Sequence, residues 1–121
     1  MSVTKVMRPG QLRPNEFENA ILERIALKNP SLREHLGKLH VVSREFTGVG
    51  SYTNFRISDV DAQAPRTHLG LGAHIVMPNV ENGMSAVLFC RRGRPECLET
   101  CTFGETLWDG VFEGFAIKET G

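Results

Sequence analysis

The stretch Met84–Trp108, MSAVLFCRRGRPECLETCTFGETLW, decides the fold. Met84 to Cys90 is nearly continuous apolar sequence, the pattern of a strand covered on both faces. Arg91, Arg92, Gly93, Arg94 and Pro95 break that run with a residue suited to positive φ and a residue of fixed φ. Extended character resumes from Cys97 to Phe103. Two strands joined by a tight turn therefore form the central hairpin of a sheet.

Upstream, residues 1–13 carry Pro9 and Gly10 and no periodicity, so a flexible or edge-lying arm is expected. From Pro14 to Lys28 the period is helical: Phe17, Ile21, Leu22, Ile25 and Ala26 share one arc, and Glu16, Asn19, Glu23 and Arg24 the other. Asn29 precedes Pro30 and ends this helix, because a residue before proline avoids the helical region. A short second helix is expected next, with Ser31 and Glu34 as a capping box, Leu32 and Leu36 on one face and Gly37 at its end. His35, beside that apolar face, reads as a packing or boundary residue.

From Leu39 the period becomes two. Leu39 to Thr47 and Ser51 to Ile57 form a hairpin around Gly48 and Gly50. Residues 58–69, SDVDAQAPRTHL, read as one long polar connection and the best candidate for a mobile loop. A strand Ala73–Met77 follows, then turn chemistry over 78–83, PNVENG. After the central hairpin a last strand is expected at Val111–Ile117. The expected fold class is α+β: two N-terminal helices packed on one face of a curved, mainly antiparallel sheet of about six strands, in a single domain spanning 1–121.

At 121 residues the chain is long enough to bury a core without disulfides or metal. Lys plus Arg equal Asp plus Glu at 14 each, so the overall field gives no case for nucleic acid or an anionic membrane as partner. Residues 1–16 lack the apolar segment of a secretory signal, and no run approaches bilayer length; a cytoplasmic location is expected. Three cysteines, Cys90, Cys97 and Cys101, are an odd number and read as reduced, small apolar residues. Cys97 and Cys101 would stand roughly 13 Å apart along one strand, too far for a disulfide or a shared metal. Cys90 and Cys97 flank the Arg-rich turn and could face each other across it.

Chemistry-bearing motifs are few. Gly48-x-Gly50 and Gly70-x-Gly72 lead into strands, whereas a nucleotide loop leads into a helix, so they read as turn glycines. Neither G-x-S-x-G nor H-E-x-x-H occurs, and His35, His40, His68 and His74 have no C-x-x-C companions. A zinc site from Cys90, Cys97 and a histidine has little to recommend it, and no metal or cofactor is expected. Charged residues inside strands say more. Arg44 and Glu45 point to opposite faces of the first strand, and Glu99 lies between Cys97 and Cys101 on a central one. A buried carboxylate there needs a partner, with Arg44 or Arg56 available. The ordinary reading is a solvent-facing side of alternating charge; the sharper one is a polar cleft of Arg44, Asn54 and Glu99. Trp108 reads as a lid on the core edge, or alternatively as a binding-site wall or interface anchor. Arg91, Arg92 and Arg94 make a cationic tip that is ordinarily solvated but could meet an acidic partner or a phosphate.

Arg44-Glu45-Phe46-Thr47-Gly48-Val49-Gly50, read with Leu98-Glu99-x-x-Thr102-Phe103-Gly104-Glu105-x-x-Trp108, resembles a group of small bacterial proteins of uncharacterised function. That resemblance spans roughly residues 11 to 117 and implies no catalytic or binding residue. The hairpin-rich α+β layout is also similar in style to immunity proteins of bacterial toxin systems. The expectation is a small binding module, an immunity or regulatory protein, engaging another protein or a second copy of itself rather than catalysing a reaction. The surfaces for it are Arg44, Glu45, Asn54, Glu99, Trp108 and the tip of Arg91, Arg92 and Arg94. The alternative is an enzyme with an acid/base cleft in which Glu99 or Glu45 is the base and Arg44 holds an anion.

Overall fold

The computed structural model describes residues 3–5, by their backbone, and residues 13–119. In chain order the elements are β1 (Val3–Lys5), α1 (Glu16–Lys28), a 3-10 turn (Pro30–Leu32), α2 (Arg33–Leu36), β2 (Val41–Phe46), β3 (Gly50–Phe55), α3 (Asp59–Ala62), β4 (Arg66–Gly70), β5 (Ala73–Met77), β6 (Val80–Arg91), β7 (Arg94–Thr102), a 3-10 turn (Phe103–Glu105) and β8 (Ala116–Glu119). The class is α+β, built on a curved antiparallel sheet. Of the expected N-terminal arm, residues 3–5 lie at a sheet edge as β1; residues 1–2 and 6–12 lie outside the described residues.

Helix α1 forms where its apolar arc predicts, and Phe17, Ile21, Leu22, Ile25 and Ala26 are all buried. Its start is held by a capping box. The Glu18 amide donates to Asn15 Oδ1 and the Asn15 amide to Glu18 Oε1, both at 2.8 Å. The expected box at Ser31 and Glu34 does not form: Pro30 opens a 3-10 turn that already contains Ser31, so that hydroxyl is inside the turn rather than ahead of it, and α2 follows with no side-chain cap.

The strands pair in the order β1-β2-β3-β7-β6-β5-β8, with β4 also on β6. Strand β6 is long enough to carry two short partners along one edge: β5 pairs near Val80–Met84 and β4 along Val87–Arg91. Between them the chain kinks at Gly72, at φ 68°, after the Leu71 amide reaches the Ala86 carbonyl at 3.0 Å. The expected polar loop 58–69 is thus largely structured, as α3 and β4. Its strand was invisible to periodicity because β4 is mostly exposed and therefore polar on both sides. Likewise the expected turn over 78–83 shrinks to Pro78–Asn79, with Asn79 at φ 67° and Val80 already paired to Met77.

The last strand is Ala116–Glu119, not Val111–Ile117. Residues 106–115 are instead irregular, with Gly110 and Gly114 at φ 79° and 84°, and this path lays Trp108, Phe112 and Phe115 against Phe17. That segment, α1 and α2 together cover one face of the sheet. The core between the layers includes Ile21, Leu22, Ile25, Val41, Ile75, Met84, Leu88 and Leu98.

Candidate functional site

Among the described residues no layer lies over the other face of the sheet, where Tyr52, Val87, Phe89 and Glu99 are half-buried, so among these residues the central hairpin is covered on one side and not, as its apolar run suggested, on both. Register assigns the side chains. Met84, Ala86, Leu88 and Cys90 of β6 point into the core, and Ser85, Val87, Phe89 and Arg91 point out. Two outward rows cross the centre: Glu45–Tyr52–Glu99–Val87, and Ser43–Asn54–Cys97–Phe89–His68.

Their polar groups satisfy one another. Tyr52 hydrogen-bonds Glu99, and that bond together with the carboxylate's charge holds the phenol above its usual pKa. Asn54 Nδ2 donates to Ser43 Oγ at 3.0 Å. Arg66 lies over the Phe89 ring, 4.4 Å from its centroid, and donates to Glu96 at 2.8 Å; Arg91 donates to the other Glu96 oxygen at 3.0 Å. Burial acts to raise the Glu96 pKa, but the two guanidiniums outweigh it and hold the carboxyl below its usual range. Cys97 is buried within this face, and burial pushes its thiol up to about 11. Farther along, His74 stacks on Phe103, 5.8 Å between centroids, where the bare backbone of Gly83 leaves room for the imidazole.

Of the residues singled out from the sequence, Glu45, Asn54, Glu99 and Arg91 lie on this open face. Arg44 does not. Its row is Arg44–Thr53–Leu98, one residue out of step with Glu45–Tyr52–Glu99 and therefore on the opposite side of the sheet. There Arg44 Nε and Nη2 grip the Glu18 oxygens at 2.6 Å each, and the Thr53 hydroxyl donates to Glu18 Oε2 at 2.6 Å. A bidentate pair of this kind, bonded on its remaining lone pairs, ties α1 to the sheet. The cleft of Arg44, Asn54 and Glu99 consequently does not form, and no acid/base pair converges there.

Trp108 is likewise a core residue: it is buried, packs on Phe17, Phe46 and Phe112, and its indole N–H reaches the Val111 carbonyl at 3.3 Å. The arginines at the hairpin tip are occupied within the chain. Arg94 donates to Asp61 at 2.6 Å, Arg92 lies 3.8 Å from the same carboxylate, and Arg91 Nη1 donates to the Ala64 carbonyl at 2.7 Å. The hydrogen bond from Arg94 holds the Asp61 carboxyl below its usual range, although burial opposes it. The tip is thus a latch that fastens residues 58–70 onto the hairpin. Cys90 and Cys97 sit on opposite faces, because Cys97 pairs with Phe89 and Cys90, next along the strand, points the other way; both are free, as is the exposed Cys101. Among the described residues no group of three or more His, Cys, Asp or Glu side chains is placed to hold a metal ion, and no helix is long and apolar enough to cross a membrane.

Tyr52, Arg66, Val87, Phe89 and Glu96 belong to the open face and were not singled out from the sequence. The alternation of Tyr52 with Thr53 and Phe55 is legible, but Val87 and Phe89 sit in a continuous apolar run that does not show which of its residues meets solvent. Fold and face together describe a two-layer α+β arrangement in which, among the described residues, one sheet face carries no covering layer. Comparison of the chain with protein-family models, curated proteins and solved structures gives no match.

Proposed function

We propose that this is a small binding module, of the immunity or regulatory kind, which recognises another protein through the open sheet face. The observation that carries this reading is the set of Tyr52, Val87 and Phe89, half-buried apolar and aromatic side chains at the centre of a sheet, with Glu99 standing between Tyr52 and Val87 and hydrogen-bonded to the phenol, and the ion-paired Arg66, Glu96 and Arg91 on the Phe89 side. Aromatic residues at the centre with a polar rim are the anatomy of protein contact surfaces. The neutral overall charge also suits a protein partner better than a polyanion.

The test is purification of the native complex from cells that make the protein, with Phe89→Glu alongside. The expected result is a defined partner that co-purifies with the natural chain and is lost from Phe89→Glu, while that variant keeps its unfolding midpoint. A Phe89→Glu variant that folds and retains the partner places the contact elsewhere, and a natural chain that elutes alone under all conditions ends the proposal.

A further inference from the structure

A second concave feature lies away from the open face, at the end of the sheet where α2, the β3–α3 connection and the start of β7 meet. It is a cavity of about 340 Å³. Its floor is apolar: Leu39 and Pro95 are buried and Ile57 is half-buried. Its mouth carries cations from separate elements, Lys38 after α2, Arg56 after β3 and Arg94 at the head of β7.

The charges there do not balance. Arg94 is spent on Asp61, which Arg92 also approaches, and Glu34, the other carboxylate of the lining, has only the His35 imidazole beside it at 3.4 Å, an ion pair when that ring is protonated. Lys38 and Arg56 have no carboxylate within 4.0 Å among the described residues. Arg56 is nevertheless held in place from its backbone, since its amide donates to the His40 carbonyl at 2.9 Å and continues the β2–β3 pairing. Ser58 lines the same cavity and receives the Asp61 amide on Oγ at 3.1 Å, which leaves its hydroxyl hydrogen free to donate.

We infer that this cavity binds a small phosphate monoester, its phosphate at Lys38, Arg56 and the Ser58 hydroxyl and its apolar body on Leu39, Ile57 and Pro95. Lys38 and Arg56 outnumber Glu34, which leaves the lining net cationic, and two cationic donors from separate elements together with the Ser58 hydroxyl suit the three peripheral oxygens of a phosphate better than the two of a carboxylate. The size falls at the lower end of small-molecule pockets, so the body is compact, of the order of one ring. This inference is independent of the protein-binding reading, because none of Tyr52, Val87 and Phe89 lines this cavity.

The test is a titration of the isotope-labelled full chain, followed by backbone amide shifts, with phenyl phosphate, inorganic phosphate and benzoate in parallel at constant ionic strength. Phenyl phosphate is expected to give saturable shifts confined to amides near Lys38, Arg56, Ser58 and Pro95, with those of Val87 and Phe89 unmoved. Inorganic phosphate should bind the same place more weakly, for want of the apolar floor, and benzoate more weakly again. In the double variant Lys38→Met with Arg56→Met, affinity for phenyl phosphate should fall at least about tenfold with the spectrum otherwise native. Shifts that never saturate, shifts spread over every surface cation, benzoate binding as tightly as phenyl phosphate, or a folded double variant that binds unchanged would each overturn it.

Discussion

The two faces of β6 differ in what covers them more than in what they are made of. Met84, Ala86, Leu88 and Cys90 are sealed in the core between the sheet and the layer that covers it, whereas Val87 and Phe89, one residue out of step and equally apolar, are only half-buried. The first set is shielded by a packed layer. The second is shielded by its own sheet neighbours, through Arg66 lying over Phe89 and the Tyr52–Glu99 bond. Hydrophobicity brings both sets into one strand, and the docking of a helix decides which becomes core. The Glu18–Arg44–Thr53 cluster holds that helix in place, which makes it the natural point at which to break the asymmetry.

The largest effect is expected there. Glu18→Leu or Arg44→Met alone breaks the buried ion pair from one side and should cost about 3–5 kcal/mol, measured by urea unfolding. The double variant Glu18→Leu/Arg44→Met should recover most of that loss, since an apolar pair needs no compensation. If the double variant is as unstable as either single one, the cluster holds the layers by more than its charges.

Neighbouring residues of β6 test the two faces directly. Leu88→Ala opens a cavity in the core and should cost about 2–5 kcal/mol, against about 1 kcal/mol or less for Val87→Ala. Equal losses would mean that the open face is packed as tightly as the covered one.

Acid should loosen the latch before it touches the core. The Asp61 carboxyl has its folded pKa lowered by Arg94, so its contribution is fully present above the ordinary carboxylate range and is lost as pH falls through the folded value. Hydrogen exchange in residues 58–70 should therefore quicken on acidification while α1 stays protected. In Asp61→Asn that exchange should already be fast at neutral pH and largely indifferent to acid. The smallest expected effect is spectroscopic: in Glu99→Gln the Tyr52 phenol should titrate closer to its ordinary value, read from phenolate absorbance, with little change in stability.

What could be read along the chain follows from which interactions are local. The α1 arc from Phe17 to Ala26 and the hairpin around Gly93 were legible because spacing and turn chemistry act over a few residues. The S-x-x-E spacing points to Ser31 and Glu34 as a capping box, whereas Asn15 and Glu18 make one. Both spacings fit the motif, and only the 3-10 turn opened by Pro30 separates them. Strand β4 escaped notice because Arg66 to His68 are exposed and carry no apolar alternation; its pairing with β6 makes it a strand.

The sequence by itself determined an α+β chain with an amphipathic helix, antiparallel hairpins and alternating sets of side chains along each strand, since these depend on periods of 3.6 and 2. Tertiary structure alone decided which set is core, that Arg44 is answered by Glu18 from 26 residues away rather than by Glu99, and that the arginine tip is taken up by Asp61. A charge or an apolar face does not encode its partner. The partner is whichever group the register of the strands and the seating of the helix bring within reach, and the cost of leaving a buried charge unanswered makes that arrangement the stable one.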